Sequence, residues 1–394
     1  MTVRHRSRLS WMLLAAAVVL ASPAAVQATQ AAQNAAQDSF TAAIQRFDSQ
    51  IAADVAADGV ASIVAGVFVG NSVIWARGFG WADADLRTPA GVETIYRTGS
   101  ISKTFTAVLL MQLVERGVVA LDDPVVRHFP EFAQLDGPDE QVRSITFRQL
   151  ASHTGGLVRE PELLFAASGP LAEWESKVLA AIPTTSLQSQ PGSEYSYSNI
   201  GFGLLGLALS RAAGRPFMDL VTELIFEPLG MTQSTFALTP ELEPYISVGY
   251  ANREDGTIDA EYPAQEHAGR GYKVPNGGVY STVGDLARFA AALSGTSPMT
   301  ILSARARREM LTIQTPEDST RGYGLGLSVQ TADNGVRLVG HGGSVSGYNA
   351  QMVFDPETTV GVILMRNYGR GSTNLGQAAQ GLAAELAGIV SEGH

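Results

Sequence analysis

Residues 100–114 have the sequence Ser-Ile-Ser-Lys-Thr-Phe-Thr-Ala-Val-Leu-Leu-Met-Gln-Leu-Val. The apolar residues of this stretch recur too densely to lie on one narrow face of a helix. A helix that is apolar nearly all round is buried between other elements. Gly117 follows it and favours helix termination. The stretch therefore predicts a central helix, with Ser100 at its start.

Patterns typical of β-strands lie on both sides of this helix. Two β-rich runs, Ser62–Val69 and Val73–Trp81, are separated by the turn-forming residues 70–72 and predict an antiparallel hairpin. Near the C-terminus, four further runs predict strands: Leu325–Gln330, Val336–Val339, Tyr348–Phe354 and Val360–Met365. Helical segments alternate with Pro and Gly turns from Asp122 to about Pro275, and a last helix spans about Thr373–Val390. The expected fold is α/β (α+β), with an antiparallel sheet built from both termini, flanked by helices, and an inserted mainly helical region.

The same patterns predict the domain organisation. Residues 38–121 and 276–394 would form the sheet domain, and residues 122–275 the helical domain. Residues 29–37 are rich in Ala and Gln and are predicted to be a tether. An amphipathic helix is expected to begin at Asp38 or Ser39 and to end at Gly59.

The first 28 residues have the features of a secretory signal peptide. Three arginines precede an apolar stretch, Trp11–Ala21, which is too short to span a bilayer, and Val26-Gln27-Ala28 resembles a cleavage site. An uncleaved anchor is the alternative. We expect a periplasmic or secreted protein without a membrane partner after cleavage.

Composition excludes several classes of function. Lys and Arg number 27 against 38 Asp and Glu, a net charge of −11, so a nucleic-acid partner is not expected. There is no cysteine, the six histidines have no metal-ligand spacing, and the glycines at 201, 203 and 206 lack the strand that a dinucleotide turn requires. No cofactor and no metal are expected, and the oligomeric state stays open.

The residues that point to chemistry begin with Ser100 and Lys103. Residues three apart share a helix face, so the Lys103 amine can reach the Ser100 hydroxyl. Serine is a poor nucleophile until a base removes its proton, and a desolvated lysine can serve. The alternative is that Ser100 only caps the helix and Lys103 is a surface charge.

Two later segments could complete such a site. Tyr197 could relay a proton, and the amide of Asn199 could position both Lys103 and a substrate carbonyl. His341-Gly342-Gly343-Ser344 follows one predicted strand and precedes the next, and its glycines would allow close approach of a substrate to the backbone. Alternatively, Tyr197 is a core aromatic residue, and residues 341–344 form a turn with a solvated histidine.

The order of these motifs resembles that of the penicillin-recognising serine hydrolases, the group with class C β-lactamases, D-alanyl-D-alanine carboxypeptidases, D-aminopeptidases and β-lactamase-like esterases. The resemblance covers residues 40 to 390 and includes Ile145–Leu157, Glu227–Met231 and Asn276–Thr282. It implies a β-lactamase-like fold.

The resemblance also implies roles for individual residues. Ser100 would be the acylated nucleophile, with Lys103 and Tyr197 as the proton-transfer pair, either of which could be the base. Asn199 would position Lys103 and the substrate, the N–H groups of Ser100 and Ser344 would form an oxyanion hole, and His341, Gly342 and Gly343 would line the substrate cleft.

One departure from the family affects the expected substrate. Class C β-lactamases usually have a lysine where this chain has His341, and a neutral histidine would hold a β-lactam carboxylate less well. The expected function is an exported serine hydrolase that acts on a small-molecule or peptide substrate, with cleavage of peptide amides slightly ahead of esters. A β-lactamase and a non-catalytic penicillin-binding protein are the alternatives.

Overall fold

The structure is a computed structural model that describes residues 23–315 and 320–392, with side chains from residue 34 onward. Its helices are α1 Pro23–Asp58, α2 Ser102–Glu115, α3 Asp139–Ser144, α4 Phe147–Ala151, α5 Trp174–Ala181, α6 Asn199–Ala213, α7 Phe217–Val221, α8 Glu261–Gln265, α9 Val274–Gly277, α10 Val283–Ser294, α11 Ala304–Leu311 and α12 Leu375–Glu392. Its strands are β1 Ser62–Val69, β2 Ser72–Asp83, β3 Thr88–Pro89, β4 Tyr96–Arg97, β5 Ala251–Asn252, β6 Ile258–Asp259, β7 Tyr280–Ser281, β8 Arg321–Tyr323, β9 Ser328–Thr331, β10 Arg337–Val345, β11 Tyr348–Phe354 and β12 Val360–Arg366.

Eight of these strands form one antiparallel sheet. Their order is β3-β2-β1-β12-β11-β10-β9-β8, so strand β1 from the N-terminal part pairs with β12 from the C-terminal part. The predicted fold class, with a sheet built from both termini, is therefore confirmed.

Helices cover both faces of the sheet. Because successive side chains of a strand point to opposite faces, each central strand contributes to a hydrophobic core on either side. Val362 and Leu364 of β12 belong to a core with α1 and α12, whereas Ile363 and Met365 belong to a larger core with α2, α6 and α10. Helix α2 is buried along most of its length, as its sequence predicted.

The region between residues 122 and 275 contributes no strand to the large sheet. It contains helices α3–α8, short 3₁₀ turns and the two-residue strands β5 and β6. Its mainly helical content agrees with the expectation, and its boundaries as a domain stay a prediction.

The N-terminal helix differs from the expectation in its start. Residues 29–37 were expected to form a tether, but they continue α1, which begins at Pro23 rather than near Asp38. Ala and Gln are strong helix formers, and no Gly or Pro interrupts this stretch. The apolar part of the predicted signal peptide, Trp11–Ala21, lies outside the described residues. Within the described residues, no helix has both the length and the apolar character needed to cross a bilayer.

Residues 341–344 also differ from the expected secondary structure. They lie inside β10, which extends to Val345, and do not form a loop after it. Gly342 and Gly343 pair with Gln351 and Ala350 of β11, so the neighbouring strand supports the strand conformation of these glycines.

A buried asparagine joins strands from the N-terminal and C-terminal parts of the sheet to the helical region. Asn367, which follows β12, is fully buried, and its Oδ1 accepts hydrogen bonds from the N–H and the hydroxyl of Ser62 at 2.7 and 2.9 Å. Its Nδ2 donates to the carbonyl oxygens of Trp81, Ala82 and Val248 at 2.9 to 3.2 Å.

Replacement of Asn367 by alanine is expected to destabilise the protein strongly. The change removes these contacts and leaves buried polar groups without partners, so the free energy of unfolding should fall by about 3 kcal/mol or more. Urea denaturation followed by circular dichroism measures this difference. Asn71→Ala, in the exposed β1–β2 turn, is the control and should change stability by less than about 0.5 kcal/mol. A similar small effect for Asn367→Ala would contradict the prediction.

Candidate active site

Ser100 and Lys103 meet at the N-terminal end of the buried helix. Ser100 lies in the single 3₁₀ turn Gly99–Ile101, and Lys103 lies in the first turn of α2 that follows. Nζ of Lys103 is 3.1 Å from Oγ of Ser100. Lys103 is fully buried, so the alternative that it is a surface charge is wrong.

The surroundings of the Lys103 amine suit a neutral group. Nζ is also 2.8 Å from Oδ1 of Asn199 and 3.3 Å from the carbonyl oxygen of Asn276, and both oxygens can only accept hydrogen bonds. A neutral amine has two N–H donors and one lone pair. If the two donors bind these oxygens, the lone pair faces the Ser100 hydroxyl.

The electrostatics favour the same protonation state. Burial holds the pKa of the Lys103 amine well below its usual value, because a buried ammonium loses its hydration. The carboxylate of Glu160 raises the pKa, and the positive charges of Arg159, Lys273 and Arg270 lower it further.

Asn199 is oriented by a residue that the sequence did not indicate. Its Nδ2 donates to Oε1 of Glu160 at 2.6 Å, which fixes the amide so that Oδ1 faces Lys103. Oε2 of the same carboxylate is 3.1 Å from Nζ of Lys273. No recognisable spacing connects Glu160 to Asn199 in the sequence, so only the fold reveals this contact.

Tyr197 packs beside the amine on the segment that leads into α6. Its ring centroid is 4.7 Å from Nζ of Lys103 and 4.2 Å from the ring centroid of His153. Burial raises the pKa of the Tyr197 phenol, although its hydrogen bond with Ser100 and the charge of Arg159 oppose this. Tyr197 therefore holds its proton at neutral pH and interacts with the Ser100 hydroxyl.

The ring of His153 packs against the ring of Tyr197. Nδ1 of His153 accepts a hydrogen bond from the backbone N–H of Ser198 at 3.0 Å, so the proton of the neutral ring is on Nε2. Burial holds the pKa of His153 well below its usual value. This agrees with a structural role for the residue.

The segment 341–344 lies against the turn that carries Ser100. A Cβ added to Gly343 would be 1.8 Å from the carbonyl oxygen of Thr98, and one added to Gly99, whose φ is +53°, would be 2.7 Å from the backbone nitrogen of Ser344. Only glycine permits this approach. The backbone around Ser100 therefore lies close to the backbone around Ser344, and the oxyanion hole between their N–H groups stays a prediction.

His341 is buried and makes internal hydrogen bonds with both ring nitrogens. Nδ1 donates to the carbonyl oxygen of Gly342 at 2.5 Å, and Nε2 therefore accepts from the hydroxyl of Tyr323 at 2.8 Å. Burial lowers the pKa of His341 to about 3. The ring is neutral at physiological pH, and its contact with a substrate would require one of these bonds to break.

The structure thus brings Ser100, Lys103, Tyr197 and Asn199 together, and it places the His341 ring 6.4 Å from that of Tyr197. A Cβ at Gly342 would instead meet the side chain of Gln351. The structure adds the carbonyl oxygen of Asn276, Glu160 and Tyr323. Among the described residues, no group of three or more His, Asp or Glu side chains is arranged to hold a metal ion.

Comparison with known proteins identifies the family of the chain. The family model described as Beta-lactamase matches residues 47–385. Beta-lactamase-like protein 2 of Dictyostelium discoideum is 28% identical over 78% of this chain, which spans 56% of that protein's length. The D-alanyl-D-alanine-carboxypeptidase/endopeptidase AmpH of Escherichia coli is 31% identical over 70% of this chain and 68% of its own length. A D-stereospecific amidohydrolase from Streptomyces has a TM-score of 0.67 and 26% identity, covering 85% of this chain and 96% of its own.

The chain therefore belongs to the beta-lactamase family, whose members include carboxypeptidases and amidohydrolases. The resemblance that the motifs indicated is confirmed.

The buried histidines predict the acid sensitivity of the fold. The pKa of His267 is lowered to about 4 by burial and that of His341 to about 3, whereas both rise to about 6.5 in the unfolded chain. Below pH 6.5 the unfolded chain binds protons that the folded chain does not, so stability falls as the pH is lowered towards 4. Each of these histidines contributes up to about 1.4 kcal/mol per pH unit.

The measurement is the free energy of unfolding between pH 7 and pH 4, for the wild type and for His341→Gln. The variant should show a shallower loss of stability with falling pH, whatever its stability at pH 7, because it lacks one titrating group. Parallel curves for the two proteins would mean that His341 does not change its protonation on unfolding.

Proposed function

We propose that the chain is an exported serine hydrolase that forms an acyl-enzyme on Ser100 and cleaves amide bonds of peptide substrates. The observation that carries this proposal is the buried Lys103 amine, 3.1 Å from the Ser100 hydroxyl. A non-catalytic binding protein has no need of a desolvated base beside a hydroxyl.

The opposite pKa shifts of Lys103 and Tyr197 support a division of their roles. The amine, whose pKa is lowered, accepts the proton of Ser100 as its oxygen attacks the substrate carbonyl. The N–H groups of Ser100 and Ser344 stabilise the negative oxygen of the tetrahedral intermediate. Tyr197, whose pKa is raised, donates its proton to the leaving nitrogen and takes one from Lys103, so the serine proton ends on the leaving group.

The acyl-enzyme is then hydrolysed by the same groups. Water attacks the ester of Ser100, the proton-transfer pair accepts the water proton, and a proton returns to the serine oxygen. The cycle returns Ser100, Lys103 and Tyr197 to their starting protonation states, and it uses only the substrate, water and these side chains.

Two relatives support amide cleavage over ester cleavage. The names of the Escherichia coli and Streptomyces proteins describe a peptidase and an amidohydrolase. The neutral, internally bonded His341 disfavours efficient β-lactamase activity, because it supplies no charge for a β-lactam carboxylate.

The first prediction from the proposed mechanism concerns the nucleophile. Ser100→Ala should lower kcat by roughly 10⁴-fold or more and abolish covalent labelling by a fluorescent penicillin or a fluorophosphonate, because no acyl-enzyme can form. Ser102→Ala is the matched control, since its hydroxyl accepts a hydrogen bond from the backbone N–H of Val279, and it should still be labelled. Labelling of the Ser100→Ala protein would exclude Ser100 as the nucleophile.

A second prediction concerns the proton-transfer pair. Lys103→Ala and Tyr197→Phe should each lose most of the activity, and the double variant should lose far less than the product of the two losses. Because the pKa of Lys103 is lowered, kcat/KM should rise through an apparent pKa well below about 10.4, with activity lost on the acidic side. Tyr195→Phe, at a residue 37% exposed, is the control and should stay active. Multiplicative losses would mean that Lys103 and Tyr197 act independently.

Export is proposed from the signal-peptide features of residues 1–28. Mass spectrometry of the protein from its native host should find a mature N-terminus at Thr29. Recovery of the chain with an intact Met1 would contradict export by cleavage at this site.

A further inference from the structure

An exposed arginine lies over the ring of Tyr197. The Cζ atom of Arg159 is 4.9 Å from the centroid of this ring, and 66% of its side chain is exposed to solvent. The backbone of Arg159 is fixed at the start of α6, because its carbonyl oxygen accepts hydrogen bonds from the N–H groups of Asn199 and Ile200 at 2.9 and 3.3 Å. The guanidinium is therefore held at the site and is open to solvent.

The neighbouring carboxylate does not neutralise this arginine. Within the described part of the chain, the acidic group at ion-pair distance from Arg159 is Glu160, with Nε and Oε1 3.9 Å apart. Glu160 already accepts from Asn199 at 2.6 Å and pairs with Lys273 at 3.1 Å. Two cations thus share one carboxylate, and the guanidinium keeps donors free for another acceptor.

The charge at this side of the site is opposite to that of the protein as a whole. The chain has a net charge of −11, yet Arg159, Lys273 and Arg270 all act on the Lys103 amine, against the single carboxylate of Glu160. On the strand side, His341 is neutral and makes only internal hydrogen bonds. The cations that act on the Lys103 amine therefore all come from the helical region.

We propose that Arg159 determines specificity by binding a carboxylate on the leaving-group side of the substrate. This inference rests on the proposed function, in which Tyr197 passes a proton to the leaving nitrogen. The leaving group then lies against Tyr197, and the guanidinium stacked on this ring can bind a carboxylate two or three bonds from that nitrogen. An arginine can bind both carboxylate oxygens through parallel N–H donors.

The test compares two amides with the same acyl group, a 4-nitroanilide and a 2-carboxy-4-nitroanilide. Their leaving groups differ by one carboxylate, and both products are coloured. The wild type should favour the carboxylated anilide, and this preference should shrink at high salt, because exposed charges are screened.

Arg159→Gln should lower kcat/KM for the carboxylated anilide on the order of tenfold more than for the neutral anilide, with the difference chiefly in KM. A loss that comes from the pKa of Lys103, which Arg159 also lowers, affects both anilides equally. Arg159→Lys should restore part of the preference, because the positive charge is kept. Arg143→Gln is the matched control, since Arg143 is 54% exposed in the same helical region and pairs with Asp139. It should leave the preference unchanged.

The possible failures are distinguishable. An equal loss on both anilides, with a shifted pH profile, would mean that Arg159 acts only through the pKa of Tyr197 and would overturn the inference. Absence of a preference in the wild type would also overturn it, while turnover of the neutral anilide would leave the proposed function standing. If the wild type cleaves neither anilide, the proposed amidase function fails, and the inference fails with it.

Discussion

Burial of the Lys103 amine is the constraint on which the site depends. An ammonium ion loses its hydration in the core, so the group must be neutral or surrounded by acceptors. The acceptors come from distant parts of the chain: Asn199 at the start of α6 and the carbonyl oxygen of Asn276 in α9. Helix α2 alone places Ser100 beside Lys103, but only the packed arrangement of the three helices lowers the pKa of the amine.

Close packing of these helices explains a glycine pattern that was unassigned in the sequence. Gly203 and Gly206 lie on α6 where it meets residues 272–275, and a Cβ on Gly206 would be 2.3 Å from Cγ of Pro275. The small residues let α6 approach α9, and thus let Asn199 and Asn276 reach the same amine. The pattern that resembles a nucleotide-binding turn is a packing surface, in agreement with the absence of a preceding strand.

Local sequence patterns predicted the helices and strands well, but they did not predict the contacts between distant parts of the chain. The Ser-x-x-Lys spacing, the apolar helix α2 and the hairpin of β1 and β2 depend on neighbouring residues, and the structure has all of them. The extension of β10 through residues 341–344 depends on its pairing with β11, and glycine by itself indicates a turn. Glu160 could not be predicted, because its role comes from hydrogen bonds across the fold to Asn199 and Lys273 and leaves no spacing in the sequence.

The positive charges near the site have two linked consequences. Arg159, Lys273 and Arg270 lower the pKa of Lys103 and so favour the neutral amine, whereas Glu160 raises it. Glu160 orients Asn199 through a hydrogen bond. Its carboxylate also raises the pKa of Lys103, and the surrounding cations offset this rise. These cations also make the helical side of the site positive, whereas His341 on the strand side is neutral. In the proposed function, the charges that assist burial in keeping Lys103 neutral therefore also favour an anionic substrate.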